Sequence, residues 1–284
     1  MPIEPAPPSS AAPLSSAFIQ PPPPPVKLRL YETALAVVEH FGQVGRMTLG
    51  ALFAMWRRPL EIQSTLYQME SLGVRSMGIA SVTSVFVGMV MAVQFAFGLQ
   101  KFGGMEYTGR IIGLSFSREL APTLTAVIVG GRIGAGIAAE VGSMSVTEQI
   151  DAIRALGADP VKKLVVPRLL ASIIVMPVLG AFALVLGFAG ATMITAVQFD
   201  IQPGFFLRTS LGSVNFADYF SGMYKCPIFG AIIALTGCHF GLITRGGTEG
   251  VGQATTRTVV VISIAILIAD FFLTKLSIIV WPGR

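Results

Sequence analysis

The stretch SMGIASVTSVFVGMVMAVQFAFGLQ, residues 76–100, runs for 25 residues without a charged side chain. A helix rises about 1.5 Å per residue and a hydrocarbon core is about 30 Å thick, so roughly 20 such residues cross a bilayer. The whole chain shares this character. Of 284 residues 53% are hydrophobic and 12% charged, with a mean hydropathy of +0.72, whereas a soluble domain carries about 25% charged residues. Too few polar side chains remain to cover a water-facing surface, which excludes a soluble enzyme. The fold class that follows is an all-α integral membrane protein, because helices satisfy their own backbone in lipid.

Four further stretches read as spans. They are residues 111–139, interrupted by Arg118, Glu119 and Arg132; residues 169–199, with Pro177 inside; residues 219–244, with Lys225; and residues 258–281, with Asp270 and Lys275. Over about residues 28–58 apolar positions recur at helical spacing (Leu35, Val38, Phe41, Val44) among Arg29, Glu32, Glu39 and Arg46. That mixture suits an amino-terminal helix lying in the membrane interface. Residues 1–27 contain the run Pro21 to Pro25 and read as a disordered proline-rich tail, without the features of a secretory signal or transit peptide. With a cytoplasmic amino terminus, twelve Lys and Arg fall inside and four outside (Lys101, Arg110, Arg208, Arg284). The positive-inside rule favours this orientation, which leaves the carboxyl terminus outside.

Several chemistries lack their residues. No G-x-x-x-x-G-K-[ST] occurs, so any ATP is hydrolysed by a partner. Cys226 and Cys238, with His40 and His239, match no zinc spacing, and no metal is expected. The net charge of +5 gathers on no basic stripe, so nucleic acid is not an expected partner. Gly134-Ala-Gly136-Ile-Ala-Ala139 matches a dinucleotide pattern, but no strand precedes it. Its rows of small residues (Gly130 and Gly134; Gly134, Ala138 and Gly142) account for it better as a close-packing helix face.

Charges within spans cost roughly 3 kcal/mol each on insertion scales and therefore point to function. Arg118 and Glu119 adjoin Pro122, whose missing N–H deprives the Arg118 carbonyl of its helical donor and favours a kink. Lys225 lies at similar depth. Arg118, Glu119 and Lys225 are expected around a cavity that accepts an anionic headgroup, the competing reading being mutual neutralisation of Glu119 with Lys225 or Arg118. Arg132, Glu140, Asp270 and Lys275 read as structural charges. Arg132 either snorkels or pairs within the bundle, and Asp270 and Lys275, five residues apart, are expected to bond neighbouring helices.

Between residues 140 and 168 charges return, and residues 145–156 read as a short extramembrane helix. Ser145 is its expected N-cap, Glu148 the capping-box partner, Gly157 its end and Pro160 its stop. Ile150, Ile153 and Leu156 form an apolar ridge beside polar Glu148, Asp151 and Arg154, as expected of a helix on which a partner docks.

The ordered motifs Ser117-Arg-Glu-Leu-Ala-Pro122, Gly131-Arg-Ile-Gly134, Ala139-Glu-Val-Gly142, Glu148-Gln-Ile-Asp151-Ala, Pro167-Arg168, Ala254-Thr-Thr-Arg-Thr-Val259 and Asp270-Phe-Phe-Leu-Thr274 resemble those of the MlaE-type (YrbE) permeases of lipid-transporting ABC systems. The resemblance covers roughly residues 30–282 and implies that residues 28–284 form one permease domain, with the helix at 145–156 as a cytoplasmic coupling helix. It further implies a second copy of the chain, an ABC ATPase subunit holding ATP and magnesium, a periplasmic MCE-domain protein, commonly hexameric, and a small STAS-type cytoplasmic subunit. No cofactor is expected on the chain itself. The implied location is the bacterial inner membrane. The implied function is movement of phospholipid between that membrane and the MCE protein, in support of outer-membrane lipid asymmetry. By the same resemblance the lipid-facing positions are Arg118, Glu119 and Lys225. Competing expectations are a different hydrophobic cargo such as a sterol, or a non-transporting membrane scaffold for an MCE protein.

Overall fold

The computed structural model describes residues 42–55 and 61–280. By its contacts the chain divides into residues 1–43, of which only Gly42 and Gln43 are described, and a body of residues 44–284. The proline-rich tail and most of the expected interfacial helix lie outside the described residues. In the body, residues 44–55 are helical (α1) and bury Met47, Ala51 and Ala54, one stripe at spacings of four and three.

Among the described residues all regular structure is helical, as an all-α membrane fold requires. Five stretches are long and apolar enough to cross a membrane: Ile62–Gln100, Met105–Val146, Val161–Phe199, Phe216–Leu242 and Gly247–Val280. Span one consists of α2 (Ile62–Gly73) and α3 (Met77–Gln100) joined by a 3₁₀ turn. Span two is α4 (Thr108–Ser115) and α5 (Ala121–Val146) joined by a π-helical turn, Phe116–Leu120. The short α6 (Gln149–Ala155) precedes span three, a second π turn at Val161–Val165 continued by α7 (Val166–Phe199). Then come α8 (Pro203–Ser213), α9 (Phe216–Met223) with α10 (Lys225–Leu242) as span four, and α11 (Gly247–Val280) as span five. All five spans start earlier than the stretches read from the sequence, and span two also ends later, because helical bonding continues through end charges such as Arg75 and Glu140.

The α8 helix was not expected. Pro203 sets the backbone angle of its first turn, and Phe206 and Ser210, four residues apart, are buried where α8 packs on α4. It marks one end of the bundle, and α6 marks the other.

At the centre α5 packs against α10 and α11, and α3 lies along α7. Small residues set how closely these helices approach. A Cβ on Gly88 of α3 would strike the carbonyl of Gly187 on α7, and one on Gly190 the carbonyl of Val85. The rows expected in span two do the same work: Gly134 faces Ile262 and Thr258 of α11, and Gly130 faces Ile233 of α10. Val129, Ile133, Ile137, Phe229, Ile233 and Ile262 fill the core between them. Outward faces are also apolar, as with Val260, Ile264, Leu267 and Phe271 of α11, which suits hydrocarbon rather than water.

Candidate functional site

The site begins with Pro122. Its ring nitrogen cannot donate to the Arg118 carbonyl, and the chain relaxes into a π turn in which Ala121 N–H bonds the Phe116 carbonyl five residues back. The turn lies about 20 Å of helix below the α8 end of span two, counting from Met105. Gly222 of α9 sits hard against the Ser117 carbonyl, where a Cβ would not fit. That contact brings the start of span four onto the turn.

Lys225, the first residue of α10, reaches the unpaired carbonyl: its Nζ stands 3.4 Å from Arg118 O. The same ammonium donates to Glu119 Oε2 at 2.8 Å, Asp270 Oδ1 at 3.0 Å and Thr274 Oγ1 at 2.8 Å. Thr274 in turn donates to Glu119 Oε1 at 3.0 Å. The Lys225 side chain is 1% exposed, and its three N–H bonds meet oxygens from spans two and five. Tyr224 adds a further tie between spans four and five, its hydroxyl donating to the Leu273 carbonyl at 2.5 Å.

Arg118 turns the other way. Its Nε donates to Asp218 Oδ1 of α9 at 2.8 Å and its Nη2 to the same oxygen, while Asp218 Oδ2 accepts the Asn215 N–H at 2.9 Å. Asp218 is 6% exposed but Arg118 is 44% exposed, and Glu119 is 37% exposed. The expected trio is thus split. Lys225 is enclosed and paired, and the turn leaves partly open the Arg118 guanidinium and, on the next residue, the Glu119 carboxylate. Next to this turn a narrow cleft between α3 and α5 is lined by Val87, Phe116, Leu120, Leu124 and Ile128 together with the polar Thr83, Ser84 and Thr125.

The remaining charges sort by depth. Asp270 reaches Lys225 on the neighbouring helix, whereas Lys275 lies over the Phe271 ring of its own helix at 5.6 Å. Arg132 is exposed and donates to Ser76 Oγ of span one at 2.7 Å. Near the α6 end Glu140 pairs with Arg168 at 2.7 Å; the arginine is 5% exposed and also donates to the Leu164 carbonyl. Cys226 and Cys238 are buried free thiols, and among the described residues no cluster of His, Cys, Asp and Glu could hold a metal.

The segment between spans two and three departs from expectation. Ser145 is no N-cap: it lies inside α5, and its hydroxyl faces the Leu242 and Thr244 carbonyls. The helix starts only after Glu148, which adopts the left-handed conformation (φ 59°) and so breaks α5 from α6. Nor is Pro160 a stop, since it opens the next helical segment, with Asp159 accepting the Val161 N–H at 2.9 Å. Gly157 closes α6 at positive φ as expected. The apolar ridge is divided: Ile150 is buried and Ile153 partly buried against the bundle core, and Leu156 alone projects, 87% exposed. Asp151 and Arg154 pair with each other in the open at 2.8 Å.

Asp218 and Thr274 were missed. Asn215-x-x-Asp218 carries a capping-box signature that would have drawn attention to Asp218; Thr274 stands in the motif Asp270-Phe-Phe-Leu-Thr274, but as an uncharged residue in an apolar run it was given no role in the site.

Five apolar spans with ionisable groups paired between them define a polytopic helical membrane protein. The chain belongs to the MlaE permease family of ABC transporters: the Permease MlaE family model matches residues 65–276. It is 44% identical over 214 residues to a probable ABC transporter permease protein of Synechocystis, covering 75% of this chain and 81% of that one. It is 38% identical over 213 residues to the chloroplastic protein TRIGALACTOSYLDIACYLGLYCEROL 1 of Arabidopsis thaliana, covering 75% of this chain and 61% of that protein. A probable ABC transporter permease protein of Rickettsia bellii is 35% identical over 242 residues, covering 85% of this chain and 93% of that one.

Proposed function

We propose that this permease moves phospholipid through the membrane, binding the headgroup at the π turn of span two, with the acyl chains against the apolar side chains of the adjacent cleft. The observation that carries the reading is the half-exposed Arg118 guanidinium, held by buried Asp218 well inside a span, where an isolated charge would be too costly to keep without use. A guanidinium still offers N–H groups to phosphate after one carboxylate oxygen is bound. The name of the Arabidopsis relative, which is that of a galactolipid, supports a polar glycerolipid as cargo.

In this reading two copies enclose an outward-facing chamber in a bacterial inner membrane, with the α6 end cytoplasmic and the α8 end periplasmic. A separate ABC ATPase, carrying ATP and magnesium, docks on Glu148, Asp151, Arg154 and Leu156; Ile150 and Ile153 hold α6 to the bundle beneath them. A periplasmic MCE-domain protein, hexameric in its usual form, receives or delivers lipid at the α8 end, and a small STAS-type subunit completes the cytoplasmic side. Closure of the ATPase shifts the permease between states of different lipid affinity, the condition any such pump must meet.

The test is ATP-dependent movement of labelled phospholipid in vesicles holding the complete complex. Transport that stops in Arg118→Gln, with phospholipid retained by the purified wild-type complex, is the expected result. A wild-type complex that hydrolyses ATP but neither moves nor retains phospholipid would overturn the reading.

A further inference from the structure

We infer that the site selects zwitterionic phospholipids bearing a primary ammonium over anionic ones. The inference rests on the headgroup reading above and adds the class of headgroup.

The argument is a charge count over one bonded network. Arg118 and Asp218 form one pair. Lys225 is shared by Glu119 and Asp270, and its contact with the Arg118 carbonyl joins the two groups. The formal sum is two cations against three carboxylates, a surplus of one negative charge. Lys275, on the adjoining turn of α11, is exposed and lies over Phe271, so it donates nothing to the network. Thr274 donates one hydrogen bond to Glu119 and carries no charge.

Position matters as much as the sum. Asp218 is 6% exposed and Asp270 17%, so both are committed inward. Glu119 is 37% exposed and follows directly on Arg118, 44% exposed, so one turn leaves both a guanidinium and a carboxylate partly open. A phosphate can take the first and an ammonium the second, and with both filled the surplus is cancelled. A headgroup with phosphate alone leaves the surplus in place and sets its own charge against Glu119, in a setting where water screens poorly.

The experiment purifies the full-length chain with its complex into nanodiscs of equal phosphatidylethanolamine and phosphatidylglycerol, and counts retained lipid by native mass spectrometry. The expected result is enrichment of phosphatidylethanolamine by roughly fivefold, equivalent to about 1 kcal/mol. Glu119→Gln, Asp270→Asn and Asp218→Asn, each removing one negative charge and little volume, should all move the ratio towards phosphatidylglycerol. Using three variants guards against one of them misfolding. Retention of both lipids at equal ratio, or a ratio unmoved in every folded variant, would overturn the selectivity while leaving the headgroup site standing. Absence of any retained phospholipid in the wild type would instead remove the parent reading, and this inference with it.

Discussion

Lys225 Nζ stands 3.4 Å from the carbonyl oxygen of Arg118, the acceptor that Pro122 cannot serve. One side chain thereby answers a backbone defect in span two and two carboxylates from separate spans. The arrangement makes Lys225 hard to replace. Lys225→Met keeps the length and discards the charge, leaving Asp270, 17% exposed, and the partly exposed Glu119 together without a cation. A loss of about 3–5 kcal/mol is expected, the usual cost of breaking a buried pair. Lys225→Met combined with Asp270→Asn should recover part of it, since the two act as one unit. Thermal unfolding in detergent measures both; an unchanged midpoint in the single variant would refute the account.

The pair near α6 behaves differently from the pair on it. Glu140→Ala strands the Arg168 guanidinium, 5% exposed, with the Leu164 carbonyl as its remaining partner, and should cost about 2–4 kcal/mol. Asp151→Ala removes a partner from a pair more than 60% exposed on both sides and should change stability by less than about 1 kcal/mol. The two variants measured side by side check the contrast, which equal losses would contradict.

Glycines divide in the same way. Gly88→Ala places a Cβ against the Gly187 carbonyl, a backbone atom that cannot turn aside, and should lower yield and stability. Gly136 has nothing within 4 Å of a Cβ, so Gly136→Ala should stabilise by up to about 1 kcal/mol through helix propensity. Comparing unfolding temperatures of the two folded variants decides the matter.

On α6, exposure separates anchoring from docking. Ile150→Asp buries a carboxylate in the core and should destabilise the permease itself. Leu156→Asp should leave its unfolding midpoint unchanged while weakening association with the ATPase, and Glu148→Lys with Asp151→Lys should uncouple ATP hydrolysis from transport. Co-purification and coupled-rate measurements in vesicles read the difference. Full coupling in the double charge reversal would rule out α6 as the ATPase contact.

The five spans could be read from the sequence because two stretches, 76–100 and 169–199, carry no charge and the other three carry only one to three within a long apolar run, a pattern that admits few other structures. The charged interior was readable residue by residue, as Arg118, Glu119, Lys225 and Asp270 stand out against an apolar background. Their pairing was not, since nothing local tells Lys225 that Asp270, 45 residues on, comes within 3.0 Å, or Arg118 that Asp218 does. The α6 boundary failed for a different reason. A capping-box pattern at Ser145 and Glu148 is a local preference, and the packing of α5 against the Leu242 and Thr244 carbonyls overrode it. The π turn before Pro122 was half legible, since that proline announced a lost bond but not the wider coil that absorbs it.

The meeting of α3 and α7 through Gly88, Gly187 and Gly190 leaves no layer of side chains between the two rods. Twisting either about its own axis would drive methylene groups into peptide oxygens, so the two travel as a single plank. Whatever rocking accompanies a transport cycle must therefore pivot at seams cushioned by side chains, such as the one where Ile262 and Thr258 lie over Gly134.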